Sequence, residues 1–241
     1  MGILYIVGTP IGNLQDITLR GLTTLFHVDT IACEDTRRTG VLLVELEKIY
    51  HQFVYKEDRA LKKPKLLSYF EQNELRRIPE ILSLLINGQN IALVSDAGMP
   101  TISDPGFKLV REAIRQGVKV EVIPGPTSII TALVGSGLPT DKFMFLGYPP
   151  AKSGHRKKLF EQIRASREHL GSTVIFFEAP HKVIRTITEM QDVFGDIELV
   201  FARELTKLHE EVVKKRISQA LLLYEKQSPK GEFVLLFHLD K

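Results

Sequence analysis

The residues of this chain that could do chemistry are gathered in short loops, each following an apolar, β-branched run. Five such loops stand out: Gly8-Thr9-Pro10-Ile11-Gly12-Asn13; Glu34-Asp35-Thr36-Arg37-Arg38; Ser95-Asp96-Ala97-Gly98-Met99-Pro100-Thr101-Ile102-Ser103-Asp104-Pro105-Gly106; Pro124-Gly125-Pro126-Thr127-Ser128; and Glu178-Ala179-Pro180-His181. They are rich in Gly, Pro and small hydroxyl residues and poor in lysine. The first has neither the G-x-G-x-x-G spacing nor the Gly-Lys-Ser/Thr ending of the familiar phosphate loops. A polyphosphate site normally sets a lysine or arginine beside its glycines, whereas these loops offer carboxylates, hydroxyls and backbone amides. They suit a polar ligand with ribose hydroxyls and a cationic centre better than a polyanion. Any one of them is equally what an ordinary turn is made of. Their recurrence at successive strand ends is what points to a site.

The elements that must position these loops alternate along the chain. Strands are expected at Leu4 to Val7, Thr30 to Cys33, Ile91 to Val94, Val118 to Ile123, Thr173 to Phe177, Leu199 to Ala202 and Phe233 to Phe237. Between them lie segments with apolar residues three and four apart, such as Leu19-Leu22-Leu25-Phe26, Ile78-Ile81-Leu82-Leu85 and Val183-Ile184-Ile187-Met190, as amphipathic helices require. Asn87-Gly88 and Gln116-Gly117 read as helix stops. Strand and helix in alternation predict an α/β protein, with largely parallel sheet in the first half. In such a sheet, ligands sit outside the carboxyl ends of the strands, where these loops fall. The prolines and glycine of Ile123-Pro124-Gly125-Pro126 mark the expected boundary between two α/β domains, 1–122 and 123–241.

Composition narrows the class. With 241 residues, 44% hydrophobic and 25% charged, the chain can bury one large core or two smaller ones. No apolar stretch reaches the length of a membrane span, and Met1-Gly2-Ile3 leads into the first strand without a basic region or cleavage site, so no membrane association and a cytoplasmic location are expected. The single cysteine, Cys33, excludes internal disulfides and a thiolate zinc cluster, and no bound metal is expected. Cys33 lies in an apolar run and reads as strand packing. A net charge of +3 says little, but its distribution says more. Six basic residues (Lys152, Arg156, Lys157, Lys158, Arg164, Arg167) face two acidic ones between Tyr148 and Glu168, and five (Lys56, Arg59, Lys62, Lys63, Lys65) face two between Val54 and Lys65. Each patch is open to two readings, a solvated surface or a nucleic-acid contact.

Six segments in order resemble the tetrapyrrole methylase superfamily, and within it the branch that modifies small-subunit ribosomal RNA. They are Leu4 to Arg20 (LYIVGTPIGNLQDITLR), Ala32 to Arg38 (ACEDTRR), Ala92 to Pro105 (ALVSDAGMPTISDP), Ile123 to Ser128 (IPGPTS), Ser136 to Asp141 (SGLPTD) and Ala202 to Glu211 (ARELTKLHEE). The resemblance implies a two-domain α/β methyltransferase, homodimeric, with S-adenosylmethionine in a cleft between the domains. It implies methylation of the ribose 2'-hydroxyl of a cytidine in the decoding region of 16S rRNA, on naked RNA or the assembled 30S subunit. The alternatives are methylation of a tetrapyrrole or another small acceptor on the same fold, and a non-catalytic RNA-binding factor.

Carried onto this sequence, the resemblance assigns Asp96, Ala97 and Gly98 to the cofactor's amino-acid and ribose portion, with Thr127 and Ser128 after the proline turn. Phe177 and Ala202 fall towards the adenine, and Pro10 closes the cleft. Methyl transfer to oxygen demands positioning first and a group that accepts or polarises the hydroxyl proton second. Glu34, Asp35 and Lys207 are the candidates; Glu34 and Asp35 are equally placed to cap the next helix and pair with Arg37 or Arg38, and Lys207 reads equally as a phosphate contact. Arg20, Arg37, Arg38, Lys152, Arg156, Lys157 and Lys158 form the expected phosphate-binding rim, with Asn73 and Glu74 as sugar or base contacts.

Overall fold

The structure is a computed structural model that describes residues 1–53, 61–166 and 171–239. Lys56, Arg59 and Arg167 of the basic patches lie outside the described residues. The chain divides into two compact units, Met1–Thr127 and Ser128–Lys241. The division falls later than the boundary expected before Ile123, because Ile123 ends a strand and pairs with Val7 inside the first unit.

The first unit runs β1 (Ile3–Val7), α1 (Leu19–His27), β2 (Thr30–Cys33), α2 (Thr36–Phe53), β3 (Lys65–Ser68), α3 (Glu74–Ile86), β4 (Ile91–Leu93), α4 (Phe107–Arg115) and β5 (Lys119–Ile123). Its sheet has the order β3-β2-β4-β1-β5, and every pairing is parallel. Successive side chains of a strand point to opposite faces, so a sheet covered on both sides needs strands apolar throughout. Ala32, Ile91 and Leu93 accordingly pack with Ile78, Ile81, Leu82 and Leu85 of α3 and Leu109 and Ala113 of α4. On the other face, Ile31, Cys33, Ala92 and Val94 meet Leu22, Leu25 and Phe26 of α1 and Leu46 and Tyr50 of α2. Cys33 is fully buried there, and burial pushes its thiol pKa up, consistent with packing rather than nucleophilic work.

The second unit comprises α5 (Ser128–Gly135), β6 (Phe143–Phe145), α6 (Ser153–Ser166), β7 (Ser172–Glu178), α7 (Val183–Phe194), β8 (Glu198–Arg203), β9 (Glu211–Arg216), α8 (Ile217–Lys226) and β10 (Phe233–Leu239). Its sheet order is β6-β7-β10-β8-β9; β6 and β7 are parallel and the other pairs antiparallel. Phe176, Phe201, Leu235 and Phe237 form its core with Phe160 of α6 and Val183, Ile187 and Met190 of α7. No helix among the described residues is long and apolar enough to cross a membrane.

Candidate functional site

Five parallel strands put five carboxyl ends on one edge of the first sheet, and the loops that follow β1, β4 and β5 are tied together there. The Thr9 N–H donates to the Gly98 carbonyl at 2.9 Å, and the Gly98 N–H returns the bond to Thr9 at 3.1 Å. The Thr9 hydroxyl donates to the Ser95 carbonyl at 3.1 Å. Gly8 and Gly125 pack backbone to backbone: a Cβ on Gly8 would stand 2.7 Å from the Gly125 Cα. The glycines therefore serve close approach of one loop to another, and Gly98, at φ 82°, adopts the left-handed backbone that lets its loop turn back to Thr9.

Asp96 lies where two cavities meet. One, of about 140 Å³, is lined by Pro10, Gly12, Leu14, Thr39 and Ser95 together with Arg38 and Asp96. The other, of about 470 Å³, is lined by Glu34, Arg37, Ser68 and Phe70 and shares Arg38 and Asp96. Arg38 pairs with one Asp96 oxygen at 2.9 Å, while the other oxygen is buried and has no hydrogen-bond partner. An unpaired buried carboxylate oxygen carries a desolvation penalty, which a ligand donor such as a hydroxyl or ammonium would relieve.

The carboxylates around it divide by environment. Asp35 accepts from the Arg37 and Arg38 backbone N–H groups and from the Arg37 guanidinium, which together hold its pKa down at about 2. It is the cap of α2, as the capping reading allows, and a poor proton acceptor. Glu34 has no hydrogen-bond or ion-pair partner among the described residues. Its pKa is raised by partial desolvation and by the charge of Asp96, with Arg38 opposing. Asp104, read at first only as part of a turn, is pushed up to about 6 by burial and by the nearby charges of Glu34 and Asp96. Three like charges so close cannot all ionise without cost. The segment holding Asp104 is itself strained, with Thr101 at φ 75° and Ser103 at φ 61°, a conformation costing on the order of 1–3 kcal/mol per residue.

Asn73 and Glu74 are buried and bonded within the protein. Asn73 is buried; its side-chain oxygen accepts from the Phe70 N–H at 2.8 Å and its amide donates to the Ser68 carbonyl at 3.1 Å. Glu74 is buried and accepts from the Tyr69 hydroxyl at 2.9 Å and the Gly106 N–H at 3.1 Å, and pairs with Lys108 at 2.8 Å. Despite the cost of burial, these donors lower its pKa. The RNA contacts expected of these two residues are thus corrected to a positioning role: they fix the turn after β3 and tie it to the strained loop before α4. Arg37 and Arg38 remain candidates for phosphate, with side chains 90% and 73% exposed. Arg20 is exposed on α1.

In the second unit, Arg156 is corrected. Its side chain is 1% exposed, it pairs with both oxygens of Glu189 at 2.6 and 2.8 Å, and it donates to the Pro150 and Ala151 carbonyls. A guanidinium so enclosed, with four of its five N–H groups engaged, ties α6 to α7 and is too buried to meet RNA. Lys152 and Lys158 are exposed, and Lys157 pairs with Asp192 at the surface. Ala202 is 0% exposed in the middle of β8, so a ligand cannot reach its side chain; its part is sheet packing between Val234 and Val212. Phe177 is half-buried in an aromatic group with Phe145 and Tyr148, at ring separations of 4.8 and 5.6 Å. Lys207 is held by Glu204 at 3.0 Å and Glu232 at 2.8 Å. Burial works against its charge, but the two carboxylates prevail and raise its pKa. Lys207 is therefore a fixed ammonium, and its expected role as proton acceptor is corrected on that ground. Ala97 is exposed and Gly98 buried; Thr127 ends the first unit, and Ser128 opens α5 in the second.

A family model for tetrapyrrole (corrin/porphyrin) methylases matches residues 3–221. The chain belongs to the tetrapyrrole methylase family. Relatives of this methylase include ribosomal RNA small subunit methyltransferase I of Thermotoga maritima, 44% identical over 236 residues and covered to 98% in both chains. The protein of the same name from a Hydrogenobaculum species is 43% identical over 234 residues, covering 97% of this chain and 94% of the relative. Two solved structures share the methylase fold at low identity. Diphthine synthase matches with a TM-score of 0.71 at 18% identity, covering 100% of this chain and 90% of its own. Uroporphyrin-III-C-methyltransferase from Thermus thermophilus matches with a TM-score of 0.63 at 18% identity, covering 98% and 94%.

Four residues of this methylase carry no site role in the sequence pattern: Ser68 at the end of β3, Phe70 just after it, and Phe145 and Tyr148 beside Phe177. Ser68 ends and Phe70 follows a four-residue strand adjoining a basic stretch, and no period-2 pattern that short separates strand from loop.

Proposed function

We propose that the protein transfers the methyl group of S-adenosylmethionine to the ribose 2'-hydroxyl of a cytidine in small-subunit ribosomal RNA. The observation that carries this reading is the position of Asp96 between two unlike cavities. The smaller is bounded by glycine loops and has Arg38 as its only cation among the described lining residues; the larger joins two arginines to three carboxylates, of which Glu34 has a raised pKa. The first suits a nucleoside without phosphate, the second an RNA backbone. The names of the relatives, at 43–44% identity over nearly the whole chain, support the same activity.

The residues present fit the cofactor. Asp96 would offer its unpartnered oxygen to a hydroxyl or ammonium, with Pro10, Ala97 and the Gly98 turn shaping the contact. S-adenosylmethionine, when bound, supplies an electrophilic methyl on a positively charged sulfur. The chain's task is then to hold the acceptor oxygen in line and at near-attack distance. Glu34 would take the 2'-hydroxyl proton as the oxygen gains the methyl and the sulfur–methyl bond breaks, its electron pair staying on the sulfur of the departing S-adenosylhomocysteine; the raised Glu34 pKa favours this role. Arg37 and Arg38 hold the flanking phosphates. Asp35 keeps the first turn of α2, and with it both arginines, in place.

The cofactor half is tested by thermal denaturation. S-adenosylhomocysteine at a hundred times its dissociation constant should stabilise the protein by about 2.7 kcal/mol, while NAD and ATP should not. No shift at saturation would contradict the cofactor assignment.

A further inference from the structure

The larger cavity contains a feature that methyl transfer alone does not call for. Phe70 stands half-buried in its wall, opposite no aromatic partner among the described residues, in a turn fixed from both ends. Its N–H is held by Asn73 at 2.8 Å, and the Ser68 carbonyl two residues earlier is held by Asn73 and by the Arg77 guanidinium, each at 3.1 Å. A ring so placed is presented rigidly, at little entropic cost to whatever binds it. The remaining lining is mixed: Arg37 and Arg38 supply cations, Glu34, Asp96 and Asp35 (itself paired with Arg37 at 3.1 Å) supply acceptors, and Thr36 and Ser68 supply hydroxyls.

The mixture discriminates among ligands. A polycarboxylate would meet the arginines favourably but would be repelled by Glu34 and Asp96 in the same space. A nucleotide has one phosphate for a guanidinium, sugar hydroxyls that donate to carboxylates, and a flat base for an aromatic face. The volume of about 470 Å³ is that of a small-molecule site and admits a single unit of a chain, not a duplex. Sequence-specific RNA recognition commonly takes this form, with unstacked bases laid on aromatic side chains.

We propose that this cavity is the acceptor subsite, taking one nucleotide unstacked from its RNA, with its phosphate on Arg37 and its base against the Phe70 ring. The subsite rests on the methyltransferase reading and goes beyond it by naming what holds the base. Asn73 and Arg77 are its positioning residues, since they set the turn that carries the ring. The chemistry of a free nucleotide is the same, so both sources enter the test.

The experiment compares Phe70→Leu, Phe70→Tyr and Phe70→Trp in methyl transfer to small-subunit rRNA and in binding of that RNA and of cytidine monophosphate. Stacking on one aromatic ring corresponds to a loss of between about 5- and 150-fold on its removal. Phe70→Leu should lower kcat/KM for RNA by that factor, mainly through KM, with the salt dependence of RNA binding and protection by S-adenosylhomocysteine unchanged. Phe70→Tyr and Phe70→Trp should restore most of the loss. Cytidine monophosphate should compete with RNA in the unsubstituted protein and less well in Phe70→Leu. An unsubstituted protein that methylates rRNA alongside an equally active Phe70→Leu would overturn the subsite and leave the methyltransferase reading standing. Equal losses in all three variants would also overturn it, because shape rather than stacking would then be responsible. Absence of methyl transfer to RNA in the unsubstituted protein overturns both.

Discussion

Glu34→Gln is expected to lower kcat for methyl transfer by about a hundred- to ten-thousand-fold, the usual contribution of a positioned general base. That loss corresponds to about 3–5 kcal/mol of barrier. Glutamine keeps the volume and the hydrogen-bonding reach but cannot take a proton, so RNA affinity and protection by S-adenosylhomocysteine should change little. The pH profile makes the test sharper. A base works only when ionised, so the rate should climb with pH and level off above the Glu34 pKa. Desolvation and the Asp96 charge displace that limb upward from its place for an ordinary glutamate. Glu34→Gln should abolish the limb along with the rate. Asp35→Asn should behave differently, because Asp35 is already ionised, and its main contribution is the α2 cap, which asparagine can also supply. A Glu34→Gln enzyme with nearly full activity would contradict the assignment.

Arg156→Ala should produce the largest loss of stability, about 3–5 kcal/mol in the second unit. The substitution leaves the Glu189 carboxylate, with a side chain 11% exposed, facing an empty space, strips the Pro150 carbonyl of its donor, and leaves the Ala151 carbonyl with only the longer bond from Arg185 at 3.4 Å. The cost is that of an uncompensated buried charge, so it should shrink when the charge goes as well. Arg156→Met combined with Glu189→Leu is expected to recover most of the loss, since a buried ion pair replaced by packed apolar groups is often neutral or better. Thermal denaturation of the single and double variants decides the matter. A loss below about 1 kcal/mol for Arg156→Ala, the range of an exposed pair, would mean that the pair is solvated.

The sequence was most legible where local pattern and burial agree. The expected strands, from Leu4 to Val7 through Phe233 to Phe237, all form, and the helical face at Ile78-Ile81-Leu82-Leu85 is buried, as are Leu22, Leu25 and Phe26, whereas Leu19 at the first position of α1 is exposed. The strands not anticipated, β3, β6 and β9, are edge or near-edge pieces: each has a single neighbour in its sheet. Edge strands are short or charged, as Lys65–Ser68, Phe143–Phe145 and Glu211–Arg216 show, because exposed apolar edges invite aggregation. The loops of the candidate site were legible by composition, since Gly, Pro and Asp at strand ends are visible in one dimension. The roles of charged residues were not. Arg156 and Arg38 are indistinguishable as letters in basic or mixed segments, yet Glu189 is 33 residues from Arg156 in sequence and encloses it, while Arg38 stays exposed beside Asp96. Glu74 likewise gave no sign that Tyr69, Gly106 and Lys108 would converge on it. Such pairings depend on long-range packing, which no local spacing encodes.

The most direct test of the central claim is to incubate the protein with S-adenosylmethionine labelled in its methyl group and with small ribosomal subunits, naked small-subunit rRNA and tetrapyrroles in parallel. The RNA is then digested to nucleosides, and the labelled product is identified. The account predicts label in 2'-O-methylcytidine, from one position of the RNA. Label on a base, or in a tetrapyrrole alone, would contradict it.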